Sequence, residues 1–199
     1  MRAYSFALLL LLAMPALGMA DAVPGKPAPP FEVKDARGQV QKLSDYQGKW
    51  LVLEWFNKDC PYVRKHYGSG NMQGLQQRYV TQGVAWLSVI SSAPGKQGYV
   101  EPTEALDTVK TTKSAASYVL LDPSGTMGKA YGAKTTPHMF IIDPRGTVVY
   151  AGGIDDNDSA NPAVIPTSKN YVSAALDAAL AGQKVVTASA RPYGCHVQY

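Results

Sequence analysis

The stretch "WLVLEWFNKDCPYVRKHY", residues 50–67, joins two patterns. Trp50 to Phe56 is a nearly continuous apolar run of strand length, as expected for a central strand covered on both faces. Glu54 is the one charge inside it. Cys60-Pro61 then opens a helix, because proline suits the first helical turn, where its missing N–H has no partner to lose. One cysteine therefore stands at a strand-to-helix switch. A dithiol centre on a single turn would carry a second cysteine at position 63, which is Val63.

The rest of the chain alternates in the same way. "FEVKDARGQVQKL" reads as a hairpin turning at Arg37-Gly38. Gly68 and Gly70 break the helix after Cys60. Asn71 is read as the N-cap of a second segment, with Met72, Leu75, Tyr79 and Val80 on one stripe. "VAWLSVI" is another buried strand, and residues 101–113 form a weaker helix with Leu106 and Val109 inward. "YVLLD" leads through a turn to a short helix ending near Tyr131. "HMFIID" and "TVVYAGG" are strands joined at Pro144-Arg145-Gly146. Residues 157–167 form a polar loop, and residues 171–181 a last helix stopped by Gly182. This order predicts an α/β fold, a three-layer sandwich around a mixed sheet with an N-terminal β-hairpin.

The chain has 199 residues, 46% hydrophobic and 17% charged, enough for one domain with a core. Its formal net charge of +4 is scattered, and no Lys/Arg run exceeds two residues, which argues against a nucleic-acid partner. Residues 1–20 have an early Arg2, an apolar run from Phe6 to Leu17, and small residues Gly18 and Ala20, the parts of a cleaved secretory signal. The run is short for a membrane span and Pro15 interrupts it. Position 21 is an aspartate, so a lipidated cysteine there is excluded. The division read from sequence is a signal at 1–20 and a single domain at 21–199, with a cysteine-containing extension at 183–199. The mature protein is then periplasmic or secreted and free of the membrane, where disulfides persist.

Together these features resemble the thioredoxin-like superfamily, and within it the secreted redoxins related to alkyl hydroperoxide reductase and thiol-specific antioxidant proteins. The resemblance covers residues 24–182. It is carried by "LSDYQGK", by Cys60 at the strand-to-helix switch, by "TTPHMFIID" and by the hairpin "FIIDPRGTVVY". It implies a thioredoxin-like fold and a thiol-disulfide oxidoreductase, or alternatively a thiol peroxidase or a copper-binding or structural module. The chain departs from both branches. The proline and Thr/Ser that peroxiredoxins place before their cysteine are Leu53 and Asn57, and their arginine is Pro137. These departures favour disulfide exchange over peroxide reduction.

Cys60 is the candidate nucleophile, since a thiolate attacks in both chemistries and a helix N-terminus favours the anion. Lys58, Arg64 and Lys65 add positive charge nearby. The resemblance makes Glu54 a buried acid that moves protons, and makes Thr136-Pro137 a cis-proline loop that offers a backbone edge to an extended substrate. Trp55, Pro61, Tyr62, Arg64 and His138 are candidates for substrate contact. Cys195, in "RPYGCHVQY", can resolve Cys60 through a reversible disulfide, staple it permanently, or remain free or pair between chains. A staple closing so long a loop would contribute about 5 kcal/mol. Metal ligation is disfavoured: Cys60, His66, Met72, His138, Met139, Cys195 and His196 include no CxxC or HxxxH pair. His66 reads as a helix-surface residue. No cofactor is expected. The partners expected are a protein or small-molecule disulfide or peroxide, and an external thiol reductant.

Overall fold

The computed structural model describes residues 21–199; the signal expected at residues 1–20 lies outside the described residues. The apolar run at residues 50–56 becomes β3 (Leu51–Trp55), with all five residues buried. It is the middle strand of a five-stranded sheet. On one side it pairs in parallel with β4 (Ala85–Ile90), which pairs in parallel with β5 (Tyr118–Leu121). On the other it pairs antiparallel with β7 (His138–Ile142), which pairs antiparallel with β8 (Val148–Gly152). The sheet order is β5-β4-β3-β7-β8. The mixed sheet follows from its connections: helices cross between the parallel strands, while a five-residue connection, 143–147, joins β7 to β8.

Burial on both faces explains the lack of apolar–polar alternation in β3. Val52 packs among α1 (Pro61–Gly68), α2 (Asn71–Val80) and α5 (Tyr171–Leu180), through Val63, Tyr67, Met72, Tyr79, Val172 and Leu176. Leu51, Leu53 and Trp55 face the opposite layer. That layer is thinner: α4 (Thr126–Tyr131), the 3-10 turn Leu43–Tyr46, and the N-terminal segment with Phe31. Fully burying each Leu or Val of β3 contributes about 2 kcal/mol. The N-terminal hairpin is β1 (Glu32–Lys34) and β2 (Val40–Lys42). Asp35 Oδ1 shapes its turn by accepting from the Arg37 and Gln39 amides, and Gly38 takes a positive φ of 81°. The helix expected at residues 101–113 is α3 (Pro102–Thr112), which buries only Ala105 fully.

Asn71 is not an N-cap. Gly70, at φ 78°, holds that position, and Asn71 is the first helical residue. Its side-chain amide instead bonds His66 Nδ1 at 2.8 Å. The polar loop at residues 157–167 ends in a 3-10 segment, Pro162–Thr167.

Residues 183–199 are laid along the domain. Ala188 O accepts from Ala151 N (3.1 Å) and Ala190 N donates to Ala151 O (3.3 Å), so the segment first borders β8. It then pairs as β9 (Cys195–His196) with β6 (Thr135–Thr136). It ends with the Tyr199 hydroxyl on Ala133 O at 2.7 Å, the ring lying where a side chain on Gly125 or Gly128 would stand.

Candidate active site

Cys60 is the N-cap of α1 and Pro61 its first residue. The turn before it is built by Asn57, whose side chain accepts from Asp59 N at 2.8 Å and whose carbonyl accepts from Cys60 N at 3.1 Å. The Thr136–Pro137 peptide is cis. It brings Thr136 O to 3.0 Å from Cys60 Sγ, which donates to it. The strand-to-helix switch and a proline loop 76 residues further on thus converge on one sulfur, in a cysteine with no solvent exposure.

The second cysteine joins them. In the β6–β9 pair Cys195 stands opposite Thr136, and Cys195 N lies 3.4 Å from Cys60 Sγ. Both thiols are free. Burial first, and then its hydrogen bond to Cys60 and the charge there, push the Cys195 thiol up to about 12. Cys195 is therefore held protonated beside Cys60, a donor rather than a nucleophile in this state. Gly194 makes the approach possible. Its φ is 130°, and a Cβ there would collide with Thr136 O and crowd Pro137 Cδ.

Behind the cysteines lies a buried polar cluster. Lys65 Nζ bonds Asn157 O at 2.7 Å and pairs with Asp155 at 3.3 Å. The Tyr193 hydroxyl donates to Asp155 Oδ1. His66 Nε2 lies 3.0 Å from that hydroxyl. Asn71 donates to Nδ1, so the proton sits on Nε2, which donates to Tyr193. Burial lowers His66 to about 4; Asp155 opposes the shift and Lys65 reinforces it. Burial, then Asp155, raises Tyr193 well above its ordinary value. Tyr193 also meets Tyr62 edge-on at 5.8 Å. The extension is thus keyed into α1 two residues before Cys195.

Several placements differ from the sequence reading. His66 is fully buried, not on the helix surface. Lys65 serves Asp155 rather than Cys60. Lys58 and Arg64 are both paired with Asp59, at 3.0 and 3.5 Å, so little cationic charge is left for the sulfur. Trp55 cannot flank Cys60: it is buried on the other face of the sheet, against Tyr131 and Phe140, because β3 alternates its side chains. His138 shares that face, with its ring 4.4 Å from Phe140 and Nδ1 accepting from Lys134 N; burial lowers it to about 3. Pro61 and Arg64 are exposed and Tyr62 is half-buried, so these three can meet a ligand.

Glu54 is fully buried on the helix-covered face. Tyr67 donates to it at 2.8 Å, Trp86 at 2.8 Å, Gln76 at 3.1 Å and Ser88 at 3.4 Å. Burial raises its carboxyl above the ordinary range, and these donors oppose the shift. None of the four is Cys60, so the structure does not place Glu54 in direct proton exchange with it. The backbone edge of Thr135–Thr136, expected to be open to substrate, is covered by the chain's own extension. Tyr193, Gly194 and Asp155 were missed in sequence. The one local signal was the run "YGC", a glycine directly before the cysteine.

A buried thiol at a helix start, facing a cis-proline loop on a mixed five-stranded sheet, defines a thioredoxin-like redoxin. The chain belongs to the AhpC/TSA family, whose model matches residues 24–151. It is 28% identical over 131 residues to the thiol-disulfide oxidoreductase ResA of Geobacillus thermodenitrificans, a match covering 62% of this chain and 66% of that one, just under two thirds. An uncharacterized conserved protein from Geobacillus kaustophilus has a similar structure, with TM-score 0.79, 28% identity, and 94% and 98% of the two chains covered. A hypothetical protein from Sinorhizobium meliloti 1021 aligns with TM-score 0.76 and 25% identity over 90% and 96%.

Proposed function

We propose that this protein is an exported thiol-disulfide oxidoreductase in which Cys60 is the nucleophile and Cys195 the resolving thiol. The observation that carries the reading is the placement of Cys195 opposite Thr136, with its amide 3.4 Å from Cys60 Sγ. The Cys60 thiolate attacks one sulfur of a substrate disulfide, and the departing thiolate takes up a proton. Cys195 loses its proton and attacks Cys60 Sγ, forming the Cys60–Cys195 disulfide and releasing the second substrate thiol. An external thiol reductant restores both cysteines. Thr136 O accepts from the Cys60 thiol and positions it, and Pro61, Tyr62 and Arg64, on the accessible first turn of α1, are the side chains a substrate would meet. The similarity to ResA, a thiol-disulfide oxidoreductase, supports disulfide exchange. Export rests on the signal-like residues 1–20.

The test is thiol trapping of residues 21–199 across glutathione redox buffers, read by mass spectrometry. The expected result is one intrachain Cys60–Cys195 bond titrating within the range of exchange catalysts, about −120 to −270 mV. A bond that resists reduction below about −300 mV would make the pair a structural staple and overturn the reading. Peroxide consumption by the reduced protein at a rate exceeding disulfide reduction would move it to the thiol peroxidases.

A further inference from the structure

The C-terminal segment does what an extended substrate would do. Cys195 and His196 pair antiparallel with Thr136 and Thr135. Val197 N donates to Lys134 O at 3.1 Å, and Gln198 O accepts from Ala93 N at 2.7 Å. The residue facing Thr136, where a docked peptide would present its cysteine to Cys60, is itself a cysteine. The segment is held on both sides of this edge: by Tyr193 among Asp155, His66 and Lys65, and by Tyr199 on Ala133 O. Gly194 has no room for a side chain against Thr136 O, so close seating of the backbone is built into the sequence.

We propose that residues 194–197 are a resident occupant of the peptide-docking edge, and that they set the substrate class as low-molecular-mass disulfides rather than disulfides carried on polypeptides. This rests on the thiol-disulfide reading above. A two-residue edge holds one partner strand at a time. A tethered strand competes at an effective concentration on the order of millimolar without leaving the molecule. A polypeptide must displace all of it. A small disulfide needs only the space over Cys60 that opens when the half-exposed Cys195 side chain turns aside. The step is then the one already written, RS–SR being reduced to two RSH while Cys60 and Cys195 are oxidised to their disulfide.

The test uses the Cys195→Ser variant of residues 21–199, which keeps the backbone pairing and leaves one nucleophile. Two probes carry the same thionitrobenzoate leaving group, one joined to cysteamine and one to the central cysteine of an extended decapeptide. The expected result is at least tenfold faster release from the cysteamine probe. Gly194→Val, added to that background, should raise the peptide rate tenfold or more while changing the cysteamine rate far less. Tyr199→Ala, which frees the segment's end without touching the edge, should act in the same direction. Equal rates for the two probes before these changes, or a ratio that neither change moves, would overturn the proposal. Release from neither probe would instead sink the thiol-disulfide reading on which it stands.

Discussion

Cys195 lies across from Thr136 in a two-residue antiparallel pair, so the last strand of the chain seats a thiol over the proline loop that already holds Cys60. Cys60, with Val63 where a dithiol turn would carry its second cysteine, thus meets a cysteine from 135 residues further along the chain. Four consequences can be measured.

Cys195→Ser should trap the reaction halfway. With the second thiol gone, a disulfide substrate should leave a stable mixed disulfide on Cys60, visible as one adduct by intact-mass spectrometry. Cys60→Ser should form far less at neutral pH, because burial, the largest cause of the raised Cys195 thiol, remains in that variant and keeps it protonated. Adducts of comparable yield on both variants would contradict this division of labour.

Tyr193→Phe should loosen the extension while leaving the sheet intact. The hydroxyl it removes donates to Asp155 and accepts from His66, both buried. Losing it should cost about 1–3 kcal/mol. The loss should show as faster amide exchange at residues 188–197 and a lower yield of the Cys60–Cys195 bond at a fixed glutathione ratio. Exchange rising uniformly across β3 and β4 instead would point to global destabilisation.

Acid should weaken the fold through its histidines. His66 and His138 stay neutral in the folded state, lowered by burial from 6.5 to about 4 and about 3. Below pH 6.5 the unfolded chain therefore binds protons that the folded chain refuses. Their stabilisation is whole above pH 6.5 and is lost as pH falls toward 4. For His66 alone the loss is about 3 kcal/mol. Urea midpoints measured from pH 7 to 4 should fall, and His66→Gln should flatten the dependence by about one proton.

Glu54 acts with the opposite sign. Its folded value is raised by burial, so the folded state binds the proton more tightly than the unfolded chain does. Ionised Glu54 costs stability at pH above that raised value, and the cost is relieved as pH falls from there toward the ordinary 4.5. Glu54→Gln should remove this compensation, so stability should drop more steeply on acidification than in the unmodified protein. An unchanged pH profile would mean that the four donors hold the carboxylate at its ordinary value.

Much of the fold was legible because it is written in local patterns. The unbroken apolar run of β3 announced a strand covered on both faces, and Cys60-Pro61 announced a helix start. Gly38, Gly146 and Gly182 marked where the chain turns or stops, each at a positive φ. The candidate nucleophile could be read the same way, as a short motif at a predictable junction, whereas the proline loop was implied by the family resemblance.

What the sequence could not decide is what lies next to what. Which face of β3 a residue joins depends on register and on which layer covers it. That choice put Trp55 and His138 behind the sheet and Glu54 among Tyr67, Gln76, Trp86 and Ser88. The burial of Lys65 and His66 depends on Asp155 and Tyr193, about 90 and 128 residues away, for charge pairing and hydrogen bonds that no local pattern carries. The strand–cysteine–helix unit was readable in advance, because hydrophobic periodicity and capping are local. The meeting of Cys195 with Cys60 was not, because it needs a glycine without a side chain at 194, a tyrosine anchored on another element, and a backbone edge at Thr135–Thr136 for the extension to pair with.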